Sequence, residues 1–568
     1  MLGTGAVVAV GFGAWWYTST GPQPAEALPA NVLGYAAVDL DPSGGQKLAA
    51  LDLLKKVPAV SEELDLDGNP ASVDVTSTIL DADLEADGCD LRADDVTDWL
   101  GDRGALAALP SDEGMPVPVV VVQVTDADTA RDGLTALAAC ADLGTDDDEA
   151  EESGFIVYDA DGEDERENQP EIGFSVDGEW AVVAEEQDTV DRLVADREDG
   201  TLADDAGFQK WTEAAGDPGV VHLYAAAAAG AWYADEVVSA FIAPMAGYEA
   251  QEEACPMPPP FDDPDADFSE KEMDRLYQEW TECIESLEEE PTEAEPSPEV
   301  QKFQAELRGF EGAAATLRFA DGAVEVETAG DLSFLGPQLF GGPGGGAAVQ
   351  ALPDDTAVAF GAGFRTGWLE ELVRNGMTAP FLALGVVADE AFGELEELTG
   401  LRLPEDAELL TGRAGAFAIS GDADPETFSG SGDLGNAGAG LKVSGDPSPL
   451  VELLDRVRPK VPADGRELLD SSSADDALAV GPDERWRDRL LEDGGLGEVD
   501  GFDDVVGHAD DASAAFYLDL DAVRSWLPEL FDGDEELVRN LKPFTRAGAS
   551  SWESDGVEHG LVRLTTKD

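Results

Sequence analysis

"EALPANVLGYAAVDLDP" (residues 26–42) reads as a strand that closes on a turn, and "QALPDDTAVAFGAGF" (350–364) repeats its opening 324 positions later. Four further matches follow in the same order. "CDLRADDVTDWLGDRGALA" (89–107) lies over "GLRLPEDAELLTGRAGAFA" (400–418) without a gap, setting Trp99 on Leu410 and Gly101 on Gly412. "DGEWAVVAEEQDTVDRLV" (177–194) meets "ADDALAVGPDERWRDRLL" (474–491), pairing Val183 with Val480 and Leu193 with Leu490. Phe208 and Tyr224 of "GFQKW…VVHLY" match Phe502 and Tyr517 of "GFDDV…SAAFY", and the stretch from Phe310 matches the stretch from Phe544. Five collinear matches imply a chain built twice.

The offset stays near 300 through Tyr224 and falls to 234 at Phe310, so the first copy carries extra residues. These include the acidic, Pro-bracketed stretch from Cys255 to Glu299, which reads as an insertion at about 249–301 with a helical centre from Ser269 to Leu287. The expected organisation is an anchor over 1–20, a first repeat over 21–335, a Gly-rich flexible linker over 336–350 and a second repeat over 351–568.

Within a copy, "VLGYAAVDL", "VPVVVVQV", "IGFSVDGEWAVVA", "GVVHLYAAA" and "AAATLRFADGAVEVETAG" read as strands, two of them hairpins turning at Asp-Gly. "SGGQKLAALDLLKKV", "DADTARDGLTALAAC" and "EEQDTVDRLVADRE" read as amphipathic helices. The predicted fold class is α+β: two homologous tandem domains of largely antiparallel sheet with packed helices, after an N-terminal transmembrane helix.

The 568 residues carry 123 Asp and Glu against 33 Lys and Arg, a net charge of −90. Phosphate backbones are held by clustered cations, so nucleic acid is excluded as a partner. The acid is spread along the chain, which fits a surface kept soluble in high salt or one that faces cations.

From Met1 to Ala25 there is no charged side chain, and the run ends in Trp15, Trp16 and Tyr17, residue types that favour a membrane interface. The expectation is an uncleaved single-pass anchor preceded by a missing basic segment, with the bulk of the chain extracytoplasmic; a signal peptide cut near Ala27 is the competing reading. Four cysteines, Cys89, Cys140, Cys255 and Cys283, suit an oxidising compartment. Sequence proximity favours Cys89 with Cys140 and Cys255 with Cys283, and none has CxxC spacing.

The order of an apolar start, "ALPANVLGYAAVDLDPSGGQKLAAL", "DDVTDWLGDRGALAALP", "GFSVDGEWAVVAEEQDTVDRLV" and "GFQKW" resembles the DUF3352 family of actinobacterial proteins. The resemblance implies a membrane-anchored envelope protein without an assigned activity and supplies no catalytic residue.

No stretch carries a catalytic signature. "GSGDLG" (430–435) has the letters of a phosphate loop but precedes a strand rather than a helix. Asp65, Asp67 and Asn69 alternate as calcium ligands do, yet Pro70 stands where the loop needs Gly and Thr76 where it needs Glu, so a solvated acidic turn is the preferred reading and calcium the alternative cofactor. His222, His508 and His559 form no ligand-spaced pair. Trp99 and Arg103 read as packing residues at a strand entry, and Trp232, Val237 and Phe241 as core of a helix. The expected function is a non-enzymatic envelope interaction or scaffold protein, anchored in the membrane and meeting an envelope protein or lipid. The alternatives are a module for lipid or another apolar ligand, and a calcium-dependent or hydrolytic enzyme.

Overall fold

A computed structural model describes residues 23–39, 44–63, 96–111, 114–141, 172–242, 298–320, 322–331, 341–370, 398–428, 437–492, 494–531 and 534–567, with isolated positions at 92, 275–276, 278, 280, 396 and 435. The fold is α+β and is built on one antiparallel sheet. Its first half contributes β1 (Gly34–Asp39), β2 (Leu100–Leu109), β3 (Val117–Val124), β4 (Gly173–Asp177), β5 (Trp180–Ala184), β6 (Val221–Ala226), β7 (Gly312–Ala320) and β8 (Ala323–Gly330). The second contributes β9 (Thr356–Gly363), β10 (Ala414–Ser420), β11 (Ala439–Ser444), β12 (Ser471–Ser473), β13 (Ala477–Val480), β14 (Ala514–Asp519), β15 (Phe544–Ser554) and β16 (Val557–Thr566).

The sixteen strands lie in the order β12-β13-β11-β10-β9-β14-β15-β16-β8-β7-β6-β1-β2-β3-β5-β4. Read outward from the central β16–β8 pair, the two halves follow the same order. Register agrees as well: Tyr35 faces Ala107 and Tyr224, and Ala359 faces Ala418 and Tyr517. At the centre, Glu327 lies directly opposite Leu561.

Alternate side chains point to opposite faces. On one face, Tyr35, Val121, Val182 and Tyr224 pack against Leu193 and Trp211, from the helices Gln187–Asp196 and Ala206–Ala214. In the second half, Ala359, Ala418 and Tyr517 meet Leu490 of the helix Glu484–Leu491, together with Phe502. Phe208 sits edge-on to Tyr224 at 5.1 Å, and Phe502 lies against Tyr517 at 5.4 Å. The residues matched in sequence thus occupy matching places in the two cores.

On the opposite face, helices cover the outer strands, and Leu520, Val523 and Trp526 close over one margin of the middle strands at Val358, Ile419, Leu518 and Leu564. Ala130 and Leu134 of the helix Ala127–Ala141 close over Val122, Val124 and Ala181. Leu450, Leu453 and Leu454 of the helix Pro447–Val457 close over Val443 and Leu478.

Two expectations are corrected. The Gly-rich run over 336–350 is not a linker throughout: Gly345–Gln350 is a helix whose Val349 is fully buried against the second core, and the halves are joined by a strand ladder. A β-carbon on Gly346 would strike the backbone of Ala509, so these glycines permit close packing as well as a bend. Further back, the chain winds as a π-helix over Tyr233–Ile242, which turns Ala234 and Val238 fully inward in place of the expected Val237. The anchor over 1–20 and most of the insertion over 249–301 lie outside the described residues; among those described, no helix is long and apolar enough to cross a membrane.

Candidate interaction surface

Between these covers an open band crosses ten strands, from β2 across β1, β6, β7, β8, β16, β15, β14 and β9 to β10. Two rows of side chains cross it. One begins Leu106, Ala36, Leu223 and continues through Ala315 and Thr328; the other begins Phe417, Phe360, Phe516 and continues through Ala549 and Val562. The rows run in opposite directions and lie two residues apart on each strand, so a half-turn about the Glu327–Leu561 pair exchanges them.

These side chains meet solvent. Leu106 is 38% exposed, Leu223 46%, Phe360 39%, Phe417 40% and Val562 52%. In a chain with 27% charged residues, neither row contains a charge. The charged residues of this face within the ten paired strands, Glu553 and Glu558, face each other near the tip of the β15–β16 hairpin. A contiguous apolar patch of this extent marks an interaction site far more often than scattered surface leucines do.

Beneath this surface, on the other side of the sheet, the halves are tied by ions. Glu325, almost fully buried, accepts from Arg318 of its own half and from Arg563 of the other, and Arg318 also donates to Glu327. Beside this seam His508, Trp552 and His559 stack, with ring centroids 4.0 Å and 5.1 Å apart. His559 Nδ1 is buried without a partner among the described residues, and burial holds the imidazole below its ordinary pKa. Tyr224, buried in the first core, has its phenol pushed up to about 12 by desolvation and then by Asp205.

A cavity of about 540 Å³ opens in the second half, floored by Val443, Leu450 and Leu478, walled by Trp368 and edged by Arg413 and Asp475. At the corresponding corner of the first half, Trp99 packs, 2% exposed, against the helix Ala127–Ala141. Its sequence match, Leu410, is smaller.

The calcium candidates Asp65, Asp67 and Asn69 and the cysteines Cys89, Cys255 and Cys283 lie outside the described residues; Cys140 falls in the helix Ala127–Ala141. No group of potential metal ligands occurs among the described residues. Arg103 is buried and bonds Asp39 at 3.1 Å, a structural pair. His222 lies on the covered face of β6, and burial lowers its pKa. "GSGDLG" falls outside the described residues except Gly435, and the strand Ala439–Ser444 follows it.

Sequence reading missed the open face. Its signal was present in "VLGYAAVDL" and "GVVHLYAAA", where both phases of the alternation are largely apolar although only one lines the helix-covered core.

No curated protein and no solved structure matches the chain. The model of DUF3352, the family whose motifs the first half resembles and which is described as a protein of unknown function, matches residues 1–252.

Proposed function

We propose that the chain is a duplicated α+β scaffold, anchored by its N-terminal apolar run outside the cytoplasm, whose open sheet face is a protein interaction surface. The observation that carries this reading is the pair of uncharged, solvent-facing rows across ten strands of a chain with a net charge of −90. Charged residues are the cheapest way to keep a sheet face soluble and unpartnered, and here they stop at the edges of the patch. Duplication is supported by the matching strand order and by the aromatic pairs Phe208–Tyr224 and Phe502–Tyr517. The anchor rests on the uncharged stretch from Met1 to Ala25.

The test is to isolate the tagged chain from its own cells after gentle detergent extraction, beside a Leu223→Glu/Phe417→Glu variant of equal fold content. The reading expects a stoichiometric protein, this chain itself included, held by the first and lost by the second. An identical set on both overturns it.

A second reading, an apolar-ligand module, is favoured by the 540 Å³ cavity near Trp368, a volume within the usual range for small-molecule sites. It expects a fatty acid to bind the wild type, as measured by calorimetry, and to lose that binding in Leu450→Trp. Equal binding to both proteins removes the cavity as the site.

A further inference from the structure

We infer that the cavity of the second half takes a zwitterionic amphiphile, with its alkyl chain on the apolar floor, its phosphate at Arg413 and its ammonium at Asp475 and Asp476; this rests on the second reading above, of that cavity as a ligand site.

Floor and mouth are successive rows of one sheet. The ladder sets Gly415 beside Val443 and Val443 beside Leu478, on β10, β11 and β13. One row further toward the strand ends stand Arg413, Gly445 and Asp476: the Arg413 N–H donates to Ser444 O at 3.3 Å and the Gly445 N–H to Asp476 O at 2.8 Å. Residues two apart share a face, so this row rises on the side of Val443 and Leu478. Two strand spacings, about 10 Å, part Arg413 from Asp476. Gly445 leaves the space between them open, since nothing lies within 4 Å of where its β-carbon would stand.

Most charges that line this cavity are already engaged. Glu408 accepts from the Gly367 N–H and Asp446 from the Ser448 N–H, while Arg365 donates to Gly341 O and to Glu553. Arg413 is different. It is the one arginine among the described residues whose guanidinium has no hydrogen bond or ion pair, in a chain where 123 acids stand against 33 bases. Asp475 and Asp476, exposed in the turn between β12 and β13, have no side-chain partner either.

A guanidinium and two carboxylates held apart over an apolar floor are complementary to a ligand that carries both signs of charge. A purely anionic chain would satisfy Arg413 and face the carboxylates; a purely cationic one would do the reverse. A peptide would bring amide groups onto Val443, Leu450 and Leu478, which cannot bond them. An alkyl chain brings none.

The duplication supplies a contrast. In the first half Asp102 stands where the second has Arg413, and Trp99, 2% exposed, packs where the second has the smaller Leu410. The charge is reversed and the corner is filled, so the site belongs to the second copy alone.

Calorimetry at 1 M salt, where a screening length of about 3 Å keeps the net charge of −90 from gathering cations, tests this. The probes are dodecylphosphocholine, dodecanoate and dodecyltrimethylammonium, each below its micelle concentration. The expected result is one dodecylphosphocholine per chain, held at least about tenfold more tightly than either singly charged probe. Arg413→Gln is expected to weaken dodecylphosphocholine and dodecanoate about tenfold without weakening dodecyltrimethylammonium. Asp475→Asn/Asp476→Asn is expected to weaken dodecylphosphocholine and dodecyltrimethylammonium and to spare dodecanoate. These side chains have no partner to lose, so both variants keep the circular dichroism of the wild type. Equal affinity for the three probes, or either charge variant without effect, overturns the inference. Where that happens and Leu450→Trp still abolishes binding, the cavity stands as a plain apolar site. Where Leu450→Trp binds like the wild type, or no probe binds at all, both readings fail.

Discussion

Arg563 of β16 donates through Nε to the carboxylate of Glu325 on β8, directly opposite it in the ladder that joins the two halves. Glu325 is 3% exposed and is shared with Arg318, so one buried carboxylate neutralises cations from both halves. A strand pair alone fixes register; this contact adds a penalty for separating the halves, because Glu325 and Arg563 would lose each other.

Removing that carboxylate tests the seam. Glu325→Ala strands Arg563 and leaves Arg318 with Glu327 alone, and breaking a buried pair from one side typically costs about 3–5 kcal/mol. Glu553→Ala, which removes the half-exposed partner of Arg365, costs about 0–1 kcal/mol. Denaturant unfolding of the two variants gives the comparison.

The first half has no spare room where Trp99 packs. A β-carbon on Gly133 would fall on the indole of Trp99. Gly133→Ala therefore displaces the ring despite the better helix propensity of alanine, with a loss of about 1–3 kcal/mol. A lowered melting temperature with altered tryptophan emission is the expected result.

The matched aromatic pairs are unequally buried. Phe502 is fully buried beside Tyr517, whereas Phe208, between Tyr35 and Tyr224, is only partly so. Phe502→Ala is expected to cost about 3–5 kcal/mol and Phe208→Ala measurably less, as read by chemical denaturation.

Acid weakens the stack beside the seam. Burial depresses the pKa of His559 and His508 lowers it further, while Glu327 opposes the shift. In the unfolded chain this group titrates near 6.5, so below that pH the unfolded state binds more protons and stability falls. The contribution is intact above pH 6.5 and is lost as pH drops from there toward the lowered folded value. His559→Gln is expected to flatten the stability profile in that window, and unfolding curves at several pH values measure it. His222, also lowered by burial, accounts for part of the slope that remains.

Much of the local structure was legible. "VPVVVVQV" is β3 residue for residue, and the Asp-Gly turns carry their glycines at positive φ, Gly178 at 61° and Gly322 at 79°. Gly101 and Gly412, matched between copies, both enter strands at crowded points; Gly412 has φ 60° and no room for a β-carbon against Ser444. These are effects of a few neighbouring residues, and spacing records them.

The sequence by itself determined the strands, the helices, the two series of matching segments and the acidic, anion-repelling character of the surface. Only the tertiary structure decided that the halves share one sheet, because the β8–β16 pairing and the shared Glu325 join residues more than two hundred positions apart. It also decided which apolar phase is covered. Alternation tells which residues share a face, but helices cover one face along most of the sheet and the other at its ends, with Leu520, Val523 and Trp526 over one margin between, and that choice depends on where distant segments pack.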